Sequence, residues 1–196
     1  MNTYVVYCHP LDDSFTAAAR ERVLAGLSAA GHNIRLTDLY AEDFRPELSA
    51  WERTHHLDPL ETKPEIAEYA ANLRWCDTLV LVHPTWWSGQ PAMLKGWIDR
   101  VWVTGVAYEL PPGGNRIRPL LRNIRRLVVV TSHGSSKWVN AVQGEGGKRV
   151  VSRALRVLCH RRARTSWIAL YRIDRSSAED RQRFLDRVER KMSSLR

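Results

Sequence analysis

Three short stretches of this 196-residue chain concentrate side chains that could do chemistry. HPLDDSFT (9–16) opens with His9 and closes with Ser14, Phe15 and Thr16. If a helix starts at Asp13 or Ser14, its unpaired N–H groups and the positive end of its dipole form an anion site. The Ser14 and Thr16 hydroxyls add donors, and His9 adds a charge-assisted one; simple capping by Ser14 is the plain alternative. HPTWWSGQ (83–90) sets Trp86 and Trp87 side by side after Pro84 and Thr85. Adjacent indoles in a loop serve an aromatic ligand or a partner protein, or they pack under neighbouring loops. TSHG (131–134) offers small donors in Thr131 and Ser132, and a glycine, Gly134, that lets backbone approach a ring edge closely.

These stretches can act together only if the elements before them end at one edge. TYVVYC (3–8), NIRLTDLY (33–40), DTLVLVHP (77–84), RLVVVTSHG (126–134) and TSWIALY (165–171) read as five strands. The third is an unbroken apolar run, which implies burial on both faces. Helical patterns separate them. Val23, Leu27 and Ala30 recur before Gly31. Ile66, Tyr69, Ala70 and Leu73 follow Pro64, and Leu94, Ile98, Val101 and Trp102 follow Pro91. GKRVVSRALRVLC (147–159) reads as an amphipathic helix with its basic face outward, and residues 177–195 as a capped terminal helix. PPGGN (111–115) marks a turn-rich loop. Residues 41–63 show no clear period and are too long for an ordinary connection, which marks a functional loop or an interface.

This alternation predicts one α/β domain over residues 1–196. It is a three-layer sandwich with a five-stranded parallel sheet, order 2-1-3-4-5, and helices on both faces. In such a sheet ligands sit beyond the strand C-termini, where the strand order reverses. The loops after strands one, three and four meet there. An anion site, an aromatic wall and a polar edge together suit a flavin nucleotide better than adenosine or a sugar. Neither GxGxxG nor GxxxxGK[ST] is present, so the usual dinucleotide and P-loop readings fail.

Composition narrows the classes. Apolar residues at 44% and charged residues at 26% describe an ordinary globular chain, and no 18-residue apolar run occurs. Cys8, Cys76 and Cys159 are odd in number and form no CxxC pair. With no leader-like start, they predict a reducing, cytoplasmic setting and no metal site. The net charge is +9 and uneven: residues 115–172 hold fourteen Arg and Lys against one acid, Glu145. No nucleic-acid motif accompanies that charge, so a nucleic-acid partner is not expected. His55 and His56 read as surface residues, because adjacent histidines seldom chelate one metal.

Taken in order, YCHPLDDSFT, DLYAEDFRPELS, HPTWWSGQPAMLKGWIDRVW with the following AY (107–108), and VVVTSHG resemble the NAD(P)H:quinone oxidoreductase family. This flavodoxin-like group includes mammalian quinone reductases, bacterial modulators of drug activity and the ancillary flavoproteins of potassium-efflux systems. The resemblance covers residues 4 to about 160, and its tryptophan helix is the specific part. It implies a homodimeric flavoprotein using FAD or FMN, in which NAD(P)H reduces the flavin and a quinone or similar acceptor then takes both electrons from the same pocket. It implies that His9, Ser14, Phe15 and Thr16 hold the flavin phosphates. Pro84, Thr85, Trp86 and Trp87 would line the ring, and Thr131, Ser132, His133 and Gly134 its pyrimidine edge. Trp87 and Tyr108 would wall the substrate pocket, Tyr108 in the neighbouring subunit. The group also supports a second reading, a flavin-binding accessory subunit docked on a membrane transport protein.

Two departures stand out. Mammalian members carry a Tyr–His proton relay after the third loop. Here Trp138, Val139 or Asn140 falls near the Tyr position and Gly146 near the His. His133 stands where those members have glycine. It either contacts the flavin edge or is an exposed loop histidine.

Overall fold

The computed structural model describes residues 1–196 except 59, 61, 62, 112 and 115. Its strands are β1 (Asn2–Tyr7), β2 (Asn33–Asp38), β3 (Thr78–Pro84), β4 (Tyr108–Glu109), β5 (Arg118–Pro119), β6 (Arg126–His133) and β7 (Arg164–Tyr171). Its α-helices are α1 (Phe15–Ala29), α2 (Ala50–Thr54), α3 (Ala67–Trp75), α4 (Ala92–Val101), α5 (Lys137–Val142), α6 (Gly146–Arg149) and α7 (Ala178–Ser193). The five long strands are parallel in the order β2-β1-β3-β6-β7. That is the expected 2-1-3-4-5, with the two-residue pair β4–β5 standing apart as an antiparallel ribbon.

β3 is buried at every position, as its unbroken apolar run requires. Successive strand residues point to opposite faces, so two cores form. Val5, Tyr7, Val80, Val82, Val128 and Val130 pack with Val23, Leu27, Phe184 and Val188 of α1 and α7. Tyr4, Val6, Leu79, Leu81, Leu127 and Val129 pack on the other side with Leu73, Leu94, Trp97, Val151 and Leu155. Trp97 and Trp102 are both core residues. β2 and β7 are the edge strands, β7 with alternating exposed and half-buried positions over its first half.

Two expectations change in detail. The helix read over 147–159 is helical from Gly146 to Leu158 but not of one pitch. After α6 it widens to π-helix over Val150–Leu155 and tightens to 3-10 over Arg156–Leu158. The stretch 41–63, read as irregular, contains α2, started by a capping box between Ser49 and Glu52. A five-residue helix shows no hydrophobic period, and tertiary contacts hold it. Arg100 Nε donates to Glu52 Oε1 at 2.6 Å, its Nη1 donates to the Arg45 carbonyl, and its guanidinium lies 5.1 Å from the Phe44 ring centroid. Residues 59, 61 and 62 of that stretch, and 112 and 115 of the turn-rich loop, lie outside the described residues.

Gly96 sets how closely this segment approaches α4. A Cβ there would stand 2.2 Å from the Pro46 carbonyl oxygen and 2.4 Å from its Cα. Backbone cannot yield as a flexible side chain would. Gly96→Ala is therefore expected to destabilise the fold by about 3 kcal/mol in chemical denaturation, while Lys95→Ala on the exposed face of the same helix changes little.

Candidate functional site

Parallel pairing of β1, β3 and β6 brings the three chemical stretches to one edge. The ladder continues past β3, where Thr85 N donates to Ser132 O at 2.8 Å. In the first loop Ser14 caps α1, its hydroxyl accepting from Ala17 N at 3.1 Å. His9 Nδ1 lies 3.1 Å from Leu11 N and 3.2 Å from the Leu11 carbonyl oxygen, which turns this side of the ring onto its own loop and leaves Nε2 free to meet a ligand. The Phe15 and Thr16 N–H groups have no internal acceptor among the described residues, so the helix N-terminus keeps its capacity for an anion. Asp12 and Asp13 oppose one, but both are exposed and solvent screens them. Thr16 is buried, and with Phe15, His83, Thr131 and Ser132 it lines a narrow cleft. Phe15 also packs on Phe184 at 5.7 Å between ring centroids.

The second loop is a tight turn. Trp86 N donates to Gly89 O at 3.2 Å and Gly89 N to Trp86 O at 3.0 Å. Between them Trp87 and Ser88 adopt φ of 49° and 60°, a region that non-glycine residues enter at a cost. The surroundings hold this strain in place. Ser88 Oγ donates to Gln143 Oε1 at 2.5 Å, Gln90 Nε2 to Gly147 O at 2.8 Å, and Gly147 N to Ser88 O at 3.0 Å. A Cβ at Gly147 would lie 3.2 Å from Gly89 Cα, so the two backbones meet closely only because residue 147 is glycine. Burial beneath neighbouring loops does not describe this pair. Trp86 is 42% exposed and Trp87 fully so at 103%. The Trp87 and Ser88 N–H groups have no internal acceptor among the described residues. His9 and Trp86 face each other at 6.4 Å, which joins the first two loops.

The third loop is tied beneath the second. Thr85 Oγ1 lies 2.9 Å from Thr131 Oγ1 and 3.4 Å from His133 Nε2. His133 is buried, stacked on Tyr171 at 4.7 Å between centroids, so the exposed-histidine reading is wrong. The side chain lies over β7, where His133 pairs with Tyr171 in the ladder; next to it, a Cβ at residue 134 would meet Asp174 Oδ2 at 2.9 Å, so glycine lets that carboxylate approach. Burial holds the His133 imidazole below its usual pKa, against opposing contributions from Asn140 and Glu145. Beside it, fully buried His83 donates from Nδ1 to the Pro84 carbonyl at 2.8 Å and is pushed down to about 4 by desolvation. Both rings are therefore neutral at pH 7.

Tyr108 does not join these loops within one chain. It lines a separate cavity of about 220 Å³ with Leu48, Glu52, His56 and Arg100.

A family model for the flavodoxin-like fold matches residues 1–192. The chain belongs to this family. An uncharacterised NAD(P)H oxidoreductase of Escherichia coli is 36% identical over 107 residues, covering 54% of each chain. The human ribosyldihydronicotinamide dehydrogenase [quinone] is 26% identical over 165 residues, 74% of this chain and 69% of that one. An NAD(P)H:quinone oxidoreductase from Methanothermobacter marburgensis superposes with a TM-score of 0.83 at 28% identity, covering 100% and 99% of the two chains. The chain spans about half the length of the bacterial curated relatives it matches.

Against the flavodoxin-like frame, sequence reasoning missed the support of the tryptophan turn. Gln90, Gln143 and Gly147 gave no chemical signal; only the Gly-Gly pair at 146–147 hinted at a close approach. It also missed His83, Trp167 and Tyr171, which pack around and beneath His133.

Two outcomes follow. Trp87→Gly removes a strained conformation and almost no packing, so it should raise stability by roughly 1 kcal/mol in urea titration. The depressed histidines bind protons more readily when unfolded. Their contribution is therefore fully present above about pH 6.5 and is lost as pH falls toward 4, amounting to about 3 kcal/mol for His83. His83→Asn keeps a donor for Pro84 O but cannot titrate, and it should flatten much of that acid slope in urea midpoints.

Proposed function

We propose that the chain is a flavin-dependent NAD(P)H oxidoreductase that passes two electrons to quinones or similar acceptors, donor and acceptor using one pocket in turn. Trp87 carries this reading: a bare indole held at positive φ, with two unpaired N–H groups beside it, has no use within the fold itself. The names of the relatives support the same chemistry.

The strand-end residues fit a flavin on three counts. His9 Nε2 and the first-turn N–H groups of α1 take its phosphate, with Ser14, Phe15 and Thr16 shaping the entry. Pro84, Thr85, Trp86 and Trp87 wall the ring and exclude water from one face. Thr131, Ser132 and Gly134 present donors at the polar edge, where preorganised dipoles stabilise negative charge on reduction. Bound there, the flavin supplies hydride transfer, which side chains cannot. His133 acts from below as a positioning residue, since its neutral ring fixes the Thr85 hydroxyl rather than adding charge. The stretch where relatives keep a proton relay here grips the tryptophan turn, so the acceptor takes its proton from water.

FAD is the form we infer. A groove of about 510 Å³ beyond β7 is lined by Arg172, Arg175, Arg183 and Arg187, and it shares Phe184 with the α1 entry; it suits a second phosphate. We also infer a homodimer with shared sites. Trp87 lies open to solvent and Tyr108 lies apart from it, so Tyr108 of one protomer completes the pocket of the other.

The purified protein should be yellow, bleach anaerobically on adding NADPH, regain colour with a quinone, and release FAD on heating, as identified by mass spectrometry. Trp87→Gly should weaken flavin binding at least about tenfold despite its added stability. A colourless protein that refuses added flavin would overturn this reading. A yellow protein inert to every acceptor that co-purifies with a membrane transporter would favour the accessory role.

A further inference from the structure

The opposite end of the sheet carries a second feature that electron transfer does not use. Arg122, Arg125, Arg126, Arg161, Arg162 and Arg164, with His160, line an open groove of about 840 Å³. It lies where β6 and β7 begin, whereas the candidate redox site lies where they end. The seven residue steps from Arg126 to His133, at about 3.3 Å each, separate the two by about 23 Å.

The groove is built on rigid backbone. Its two loops are laced together: His160 N donates to Ile124 O at 2.9 Å and Arg164 N to Arg125 O at 3.0 Å, and Leu121 bridges to Cys159. Ala163 N closes a turn onto His160 O at 2.7 Å, and Arg162 N donates to His160 Nδ1 at 3.1 Å. Arg122 is anchored by donating to the Cys159 carbonyl at 2.7 Å, and Arg126 reaches Met1 and the terminal Arg196 oxygen. The side chains of Arg125, Arg161, Arg162 and Arg164 have no hydrogen-bond partner among the described residues. No carboxylate side chain there pairs with any of the six. Asp77, whose carbonyl accepts from Arg125 N, spends its carboxylate on Asn2 N and the Thr78 hydroxyl.

Arg126 is turned to the Arg196 oxygen, but the other five guanidinium groups in this concavity pair with no carboxylate side chain among the described residues and repel one another, and a ligand with several negative charges in a small volume relieves that repulsion. Every strong cation here is arginine, whose planar fork matches phosphate oxygens bidentately. The volume falls within the roughly 300–1,000 Å³ of small-ligand sites. No aromatic side chain lines it to stack bases, no helix projects from it toward a duplex groove, and no apolar rim suits a bilayer. We propose that this groove is a binding site for a compact polyphosphate anion, independent of the redox site.

Inorganic tripolyphosphate, titrated calorimetrically into the full chain at about 0.15 M salt, tests this. The wild type should bind one equivalent. The triple variant Arg161→Ala, Arg162→Ala, Arg164→Ala should lose at least about 30-fold in affinity. A charge-matched control, Arg45→Ala, Arg116→Ala, Arg153→Ala, should lose less than about threefold. Urea midpoints show whether each variant is folded; if the triple variant is not, Arg162→Gln alone, expected to lose about fivefold, replaces it. Equal losses in groove and control variants would overturn the proposal. So would saturable binding of a DNA duplex or of phosphatidylglycerol vesicles without any of tripolyphosphate.

Discussion

The constraint from which most of the molecule takes its position is the complete burial of β3. A strand buried on both faces needs a hydrogen-bonded neighbour on each side and helices above and below. Its partners β1 and β6 are thereby fixed in register. The strand ends in Pro84, which cannot donate a hydrogen bond, and the adjoining polar groups are settled locally by His83 on the Pro84 carbonyl and Thr85 N on Ser132 O. Because all three strands finish at that level, their following loops meet without any loop having to search for the others.

The site is built from features that cost stability. Trp87 and Ser88 sit at positive φ, Thr16 and His133 are polar yet buried, and His83 is a histidine with no exposure. Each is held by a neighbour: Gln143 and Gly147 hold the turn, Tyr171 stacks on His133, and the Pro84 carbonyl accepts a hydrogen bond from His83 Nδ1. Such conflicts between local preference and global packing gather at the candidate site, although elsewhere in the sheet the buried Thr165 hydroxyl also has no partner among the described residues.

Much of this was legible in the sequence, for reasons that differ by element. Strand runs such as LVLV and LVVV are buried on both faces, so composition alone marks them, and their alternation with helices fixes the topology. Ser14 and Pro91 marked helix starts because capping is local chemistry. The capping box of α2 escaped notice because a five-residue helix has no period and is held by Arg100, a partner far along the chain. His133 was left open between a contact and an exposed position for a related reason. Its burial depends on Tyr171 and Trp167, and nothing within several residues of position 133 reveals that the strand beside it carries aromatic rings there. The family motif was likewise divided by the structure. Within GWIDRV, Gly96 and Arg100 fasten the 44–52 segment to α4, whereas the indoles preceding it are the part left open.

Strand β7 leaves one edge of the sheet without a partner, a shape that invites a second copy to add its own strand. An arginine stands at its first residue, Arg164, and another, Arg172, just after its last. Two such edges approaching antiparallel would set arginine near arginine at each end of the contact. The barrier to stacking these sheets is therefore carried by the ionic atmosphere rather than by shape. Repulsion of that kind is strongest in dilute buffer and loses reach as salt is added, while Arg187, donating to the Ala169 carbonyl, already covers part of the edge.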